Sequence, residues 1–239
     1  MVVKSELKLI KSLQQKKYRN EHGLFVVEGK KTLEEVLGSK IKPYKLFALD
    51  PKSVTQKSIQ TVQISSRELS QISSLKNPNG YLGVFYIPTS KAQTTSDWIL
   101  VVDGIQDPGN LGTIIRLCDW FGVRDIICSL DTVDCYNPKV LQATMGSIAR
   151  VNIKYTPLKE FLKKTQLPIY GTFMDGENIN TSKLPKKGIV IMGNEGKGIS
   201  RAVAQQCTHK LTIPQSGEST TESLNVASAA AILLHEIRR

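Results

Sequence analysis

Apolar residues keep two rhythms along this chain, one of about three residues and one of short continuous runs. Residues 4–17 place Leu7, Ile10 and Leu13 at three-residue steps among lysines, which predicts an amphipathic helix with a basic outer face. The following KKYRNEHG reads as a turn, LFVV as a strand over 24–27, and the stretch from Lys31 to Leu37 as a helix. Apolar runs at 46–49, 62–64 and 81–87 then alternate with polar helical stretches such as SRELSQISSL, the pattern of a small α/β domain.

From Pro88 to Asp97 the sequence PTSKAQTTSD is polar and has no period. The division expected from it is a first domain over 1–90, a linker over 91–97 and a second domain over 98–239. Past the linker the pattern is regular. Strands are expected at 98–102, 125–129, 151–154, 168–173, 188–192 and 210–213, with helices near 111–121, 138–148, 158–164, 199–206 and 223–237. Near-continuous apolar strands between helices predict a mostly parallel sheet covered on both faces, whose ligand site lies beyond the carboxyl ends of the strands.

Three loops at that end carry unusual residues. After the first strand, DPGNLGTIIR makes a turn at Pro108 and Gly109, Asn110 is placed to cap the next helix, and Arg116 stands in apolar company under two turns further on. The second loop, MGNEGKGIS, has glycines at 193, 196 and 198 that let a backbone approach a ligand, and Glu195 as its acidic side chain. Its spacing fits neither the dinucleotide fingerprint nor a P-loop. The third runs from a strand stopped by Pro214 through a polar loop to an alanine-rich helix that Ser223 is placed to cap, leaving Ser223 and Asn225 at a helix N-terminus.

Charge sharpens the division between the two parts. Residues 1–96 hold 16 Lys and Arg against 7 Asp and Glu, whereas residues 97–239 hold 16 against 14. A basic excess confined to the first domain points to a polyanion partner such as RNA or DNA. Lys16, Lys17, Arg19, Lys30 and Lys31 cluster around the first strand with Tyr18 beside them, a set suited to holding phosphates and stacking on an unpaired base. The polar start, with no signal peptide and no membrane-length apolar run, leads us to expect a cytoplasmic protein without a membrane partner. Cys118, Cys128, Cys135 and Cys207 have no metal-ligand spacing, so reduced thiols and no metal are expected.

Taken together and in order, DPGNLGTIIR, MGNEGKGIS and IPQSG with ESLNVASAAAILLHE resemble the three motifs of the SpoU (TrmH-type) branch of the SPOUT RNA methyltransferases. YNPKVLQATMGSIARVNI, residues 136–153, also resembles that family at its usual place, and the likeness covers essentially all of 97–239. The basic N-terminal part is similar to the substrate-binding domain of many members. The resemblance implies a trefoil-knotted SPOUT domain, a homodimer, S-adenosylmethionine as methyl donor and a ribose 2′-hydroxyl of RNA as acceptor. Ribosomal RNA is favoured, with transfer RNA as the alternative. By motif position Asn110 and Arg116 would be the catalytic pair, Glu195 would support the site, and Ser223 and Asn225 would complete it. Backbone at Met192, Gly193, Ile213 and Leu224 would hold the cofactor. The loop between Pro214 and Ser223 is longer than the family's common pattern, and Gln215 stands where methionine is frequent.

The resemblance implies that Arg116 is the general base, assisted by a substrate phosphate. Read from its chemistry, a guanidinium has donors and no acceptor, so Arg116 orients the phosphate and stabilises the developing alkoxide; whether it also takes the proton stays open. Two other classes compete with the enzyme: an RNA-binding or assembly factor that keeps the fold, and a nucleotide hydrolase, which lacks its acidic metal cluster and P-loop lysine.

Overall fold

A computed structural model describes residues 2–54, 59, 61–89, 96–217 and 223–239. Most of the expected linker, and residues 218–222 of the third loop, fall outside the described residues. The chain divides into two compact units, Met1–Thr89 with Asp134–Ala149, and Ser90–Val133 with Arg150–Arg239.

The first unit is built on a four-stranded sheet in the order β1-β4-β2-β3, from β1 Leu24–Glu28, β2 Pro43–Ala48, β3 Thr61–Gln63 and β4 Tyr81–Tyr86. β4 runs antiparallel to both neighbours, and β3 pairs parallel to β2. Alternate residues Leu24, Val26, Phe47, Leu82 and Val84 share a core with Ile10 and Leu13 from the first helical region and Leu69 and Ile72 of α4 (Ser66–Ile72). α4 is fixed at its start by a capping box, in which Ser65 Oγ accepts from the Glu68 N–H and the Glu68 carboxylate accepts from the Ser65 N–H.

The expected first helix is two helices. α1 spans Lys4–Ser12, and α2, Lys16–His22, occupies the stretch read as a turn. The cause is Arg19, whose Nη1 donates to the carbonyls of Leu13 and Gln14 at 2.9 Å each. The guanidinium thereby occupies carbonyls just past α1 that a continuing helix would have used. Its Nε donates to Asp134 Oδ2 at 2.9 Å, and Nη2 forms an ion pair with the same carboxylate. Arg19 is only 2% exposed.

Asp134 begins the later segment that belongs to this unit. Tyr136 packs its ring on Phe25 at 4.5 Å, and α6, Pro138–Thr144, is capped by Asn137. The helix expected over 138–148 stops early because Met145 and Gly146 take positive φ, and a 3-10 turn follows at Ser147–Ala149. A side chain at Gly146 would meet Glu35 Cβ of α3 (Lys30–Leu37) at 2.6 Å, so close packing requires glycine there.

The second unit has a six-stranded sheet, all parallel, in the order β10-β8-β9-β5-β6-β7. The strands are β5 Trp98–Val102, β6 Asp125–Cys128, β7 Asn152–Tyr155, β8 Ile169–Asn178, β9 Gly188–Met192 and β10 His209–Thr212. β5 and β9 are buried throughout, as strands covered on both faces must be. Ile99, Val101, Ile127, Ile189 and Ile191 pack with α7 (Leu158–Lys163) and Val203 of α8 (Arg201–Ala204). α5 (Pro108–Trp120) and α9 (Val226–Glu236) pack on each other, with Ala227 and Ala230 of α9 buried.

Candidate active site

The three loops singled out in the sequence follow β5, β9 and β10, at the carboxyl ends of the strands. The caps differ from those expected. Asp107 caps α5, accepting from the Asn110 N–H at 2.8 Å with Pro108 as the first helical residue, so Asn110 lies inside the first turn. α9 is capped by Asn225 and not by Ser223: Asn225 Oδ1 accepts from the N–H groups of Ala227 at 2.9 Å and Ser228 at 3.3 Å. Each helix thus keeps one asparagine amide turned toward the other.

Asn110, Glu195 and Asn225 come together in a line. Asn225 Nδ2 donates to Asn110 Oδ1 at 3.0 Å, and Asn110 Nδ2 donates to Glu195 Oε1 at 2.8 Å. Both ends of this chain fix its direction. The Glu195 carboxylate accepts, so Asn110 must present its NH2; the α9 N–H groups donate, so Asn225 must present its oxygen to them. Between these termini neither amide can flip without leaving two donors or two acceptors facing each other.

The glycine loop that carries Glu195 is knitted mainly by Asn194. Its Nδ2 donates to the Gly104 carbonyl at 2.7 Å, and its Oδ1 accepts from the N–H groups of Gly196 and Lys197, both at 3.0 Å. Its backbone exchanges two hydrogen bonds with Gly198. A Cβ on Gly193 would lie 2.2 Å from the Gly198 carbonyl carbon, so any side chain at 193 forces the loop open. Asp103, nearly buried, accepts from the Ser200 N–H at 2.8 Å and ties the far end of the loop to the end of β5. Sequence reasoning passed over Asp103, Asp107 and Asn194; the asparagine before a glycine-rich turn is the signal that identifies Asn194, because its side chain bonds the backbone two and three residues on.

The remaining predicted positions are placed as follows. Arg116 is exposed on α5, about 120° around the helix from Asn110 by the helical repeat, and among the described residues no hydrogen bond or ion pair joins it to the amide line. Trp120, one turn further on the same side, is 82% exposed. Ser223 is exposed. Met192 is buried at the end of β9, where its carbonyl accepts from the Asp103 N–H. Ile213 is half-buried and Leu224 is 52% exposed; the backbone of neither bonds to another described residue. Their peptide groups and the half-exposed Leu224 side chain suit the edge and face of a flat heterocycle.

In the first unit, Lys16, Lys17, Lys30 and Lys31 are exposed, with Lys17 over the Tyr18 ring. Arg19 is the correction: buried against Asp134 and two carbonyls, it has no guanidinium face left for a phosphate.

Comparison with known proteins gives a consistent picture. Residues 97–235 match the SpoU rRNA Methylase family, and residues 4–83 match the MRM3-like substrate binding domain. Over 235 residues the chain is 31% identical to 23S rRNA (guanosine(2553)-2'-O)-methyltransferase RlmP of Bacillus subtilis (strain 168), covering 95% of this chain and 94% of the relative. A solved structure of a TrmH-family protein from Porphyromonas gingivalis is 36% identical and superposes with a TM-score of 0.91, over 100% of this chain and 98% of that one. An AdoMet-bound rRNA methyltransferase from Sinorhizobium meliloti is 27% identical, with a TM-score of 0.88 over 100% and 95% of the two chains.

Proposed function

The chain belongs to the SpoU rRNA methylase family, and on that footing we propose that it transfers a methyl group from S-adenosylmethionine to a ribose 2′-hydroxyl of RNA, with ribosomal RNA as the substrate class. The observation that carries this reading is the line Glu195–Asn110–Asn225, which joins the first turn of α5, the glycine loop and the N-terminus of α9 at the carboxyl ends of the strands. The peptide groups at Ile213 and Leu224, which bond to no other described backbone, the half-exposed Leu224 side chain and the tight backbone at Gly193 fit an adenosine-bearing cofactor. When bound, S-adenosylmethionine supplies a methyl group on a sulfonium, ready for in-line displacement.

The protein's own contribution is positioning and charge. Holding the acceptor oxygen in line with the methyl carbon converts an encounter into a local step, an effect worth about 7–11 kcal/mol in well-oriented systems. Glu195 on one side and Asn225, itself held by the α9 N–H groups, on the other fix the Asn110 amide. Arg116 supplies donors to a substrate phosphate and to the 2′-oxygen as negative charge develops on it. Ser223 adds a hydroxyl beside Leu224.

Three further features belong to the same reading: the trefoil knot in the second unit, action in the cytoplasm and a homodimer. The motif resemblance to the SPOUT family carries the first, and likeness to the TrmH-family structure supports the fold in which it would lie. No helix among the described residues is long and apolar enough to cross a membrane. Transfer RNA is the second substrate class.

The test is transfer of labelled methyl from S-adenosylmethionine to total RNA that lacks the modification, followed by separation of ribosomal from transfer RNA and identification of the nucleoside. A 2′-O-methylated nucleoside in ribosomal RNA is expected. Arg116→Ala is expected to abolish transfer while calorimetry shows cofactor binding largely intact. Near-normal turnover by that variant would remove Arg116 from the mechanism, and cofactor binding without label in any RNA would favour a binding or assembly factor.

A further inference from the structure

Tyr44 and Tyr86 form an exposed aromatic pair at one end of the first unit's sheet. Their rings meet edge to face at 85°, with centroids 5.7 Å apart, and the two residues are 45% and 47% exposed. Half-exposed tyrosines in this arrangement cover one edge and one face between them and leave other ring surface in water. Neither hydroxyl bonds to a described residue, so the pair is held by backbone. The Tyr86 N–H donates to the Lys42 carbonyl at 3.0 Å, and the next residue, Ile87, donates to the Gly23 carbonyl at 2.8 Å. Tyr44 sits where the β2–β4 register shifts between Pro43 and Lys45, an irregularity of the kind that re-aims a side chain out of the pleat.

The surroundings select the occupant. Lys42 is exposed and adjoins the pair through its backbone, its carbonyl accepting from the Tyr86 N–H, whereas Lys45 is engaged by Glu6 at 2.6 Å. This unit carries the basic excess of the chain. Open aromatic surface beside lysine suits a nucleobase with its phosphate better than an apolar peptide, because every base has a π face and every nucleotide an anion.

Resting on the RNA-methyl-transfer reading above, we propose that Tyr44 and Tyr86 are a stacking platform that receives an unpaired base of the substrate RNA, with Lys42 contacting an adjacent phosphate. Stacking of this kind is worth about 1–3 kcal/mol per base, or roughly 5- to 150-fold in affinity at tenfold per 1.4 kcal/mol. The platform reads an unpaired nucleotide and not its sequence.

The experiment uses the full chain, a fluorescent single-stranded oligoribonucleotide of mixed sequence and a duplex of equal length, with binding followed against salt. Tyr44→Ala and Tyr86→Ala should each weaken single-strand binding at least fivefold and leave duplex binding nearly unchanged. The Phe variants should bind within about twofold of the parent, since the ring and not the hydroxyl is used. Lys42→Ala should lower the slope of log affinity against log salt for the single strand by about 0.7, and the tyrosine variants should not. Photocrosslinking of the unmodified chain to an oligonucleotide carrying 4-thiouridine should map to Tyr44 or Tyr86, a readout independent of how well any variant folds. Crosslinks confined elsewhere, or folded Ala variants that bind like the parent, would overturn the platform; so would a platform that captures only protein. Methyl transfer separates the two levels: a parent chain that binds through the tyrosines and transfers no methyl removes the enzymatic reading alone, while active Ala variants with unchanged KM remove the platform alone.

Discussion

At the scale of single residues, the informative feature is that two asparagine amides are oriented by groups that cannot reverse their role. A carboxylate at one end and helix N–H groups at the other leave one hydrogen-bonding pattern. Glu195→Gln keeps an acceptor for Asn110 and removes the charge, so the geometry should survive. Charge-assisted bonds are roughly twice as strong as neutral ones, and the expected loss in turnover is about tenfold, with cofactor affinity unchanged. Glu195→Ala removes the acceptor as well and should lose on the order of 100-fold. Single-turnover rates decide the matter, and a Gln variant as fast as the parent would show that the carboxylate has no part in the chemistry. Asn110, Glu195 and Asn225 were all legible in the sequence as residues, but not their connectivity. The sequence suggests Asn110 as a cap that Asp107 in fact provides, because a capping residue is defined by where the backbone leaves the helix, and Pro108 moves that point three residues earlier. The burial of Arg19 is hidden from the sequence for a different reason: a lysine-rich segment makes an arginine look solvated, and its counter-charge lies 115 residues away.

At the scale of elements, α9 is held at both ends. Asn225 caps its start, and just past its end Arg238 donates from Nε to the Phe121 carbonyl at 2.8 Å and from Nη2 to the Gly122 carbonyl at 2.9 Å. The same guanidinium makes a two-pronged contact with Asp97 at the entry to β5. The Arg238 hydrogen bonds hold the Asp97 carboxyl below the usual carboxylate range. A lowered carboxylate contributes stability that is full above its unfolded value, about pH 3.9, and is lost as pH falls through the folded value. Asp97 is 44% exposed at its side chain, so the pair is worth no more than about 1 kcal/mol. Asp97→Asn should therefore melt lower at neutral pH by no more than about 2–4 °C, with the gap closing as pH drops below about 4. Calorimetric melting across that range is the check; a gap that persists unchanged in acid would mean that the ion pair is not its source. The strands and most helices were legible because continuous apolar runs and helical spacing report burial directly. β8 was expected to be shorter than Ile169–Asn178, since its pairing with β10 resumes only after a break in register that no local pattern encodes.

At the scale of the whole molecule, the dimer is the part of the proposed function that the isolated chain motivates through its surface. Trp120 on α5 is 82% exposed and Ile232 on α9 is 37% exposed, on two helices that pack together. A ring exposed to this degree on a helix that carries part of the candidate site makes Trp120 the residue at which to test cover by a second chain. Sedimentation should give twice the chain mass, and Trp120→Glu should shift it toward one; a monomeric parent would sink this part of the reading. The two-part organisation was legible from the polar stretch and the change of rhythm. The grouping of Asp134–Ala149 with the N-terminal residues was not, because nothing in a helix-like stretch between two strands says which neighbour it will join. That grouping bears on how such proteins can be recombined. An N-terminal unit cut off at Thr89 and grafted onto a different catalytic body would carry a buried guanidinium without its carboxylate, and Phe25 without the ring of Tyr136. The substrate-binding half is therefore not a portable module: any new host would have to donate, from the middle of its own sequence, the piece that completes it.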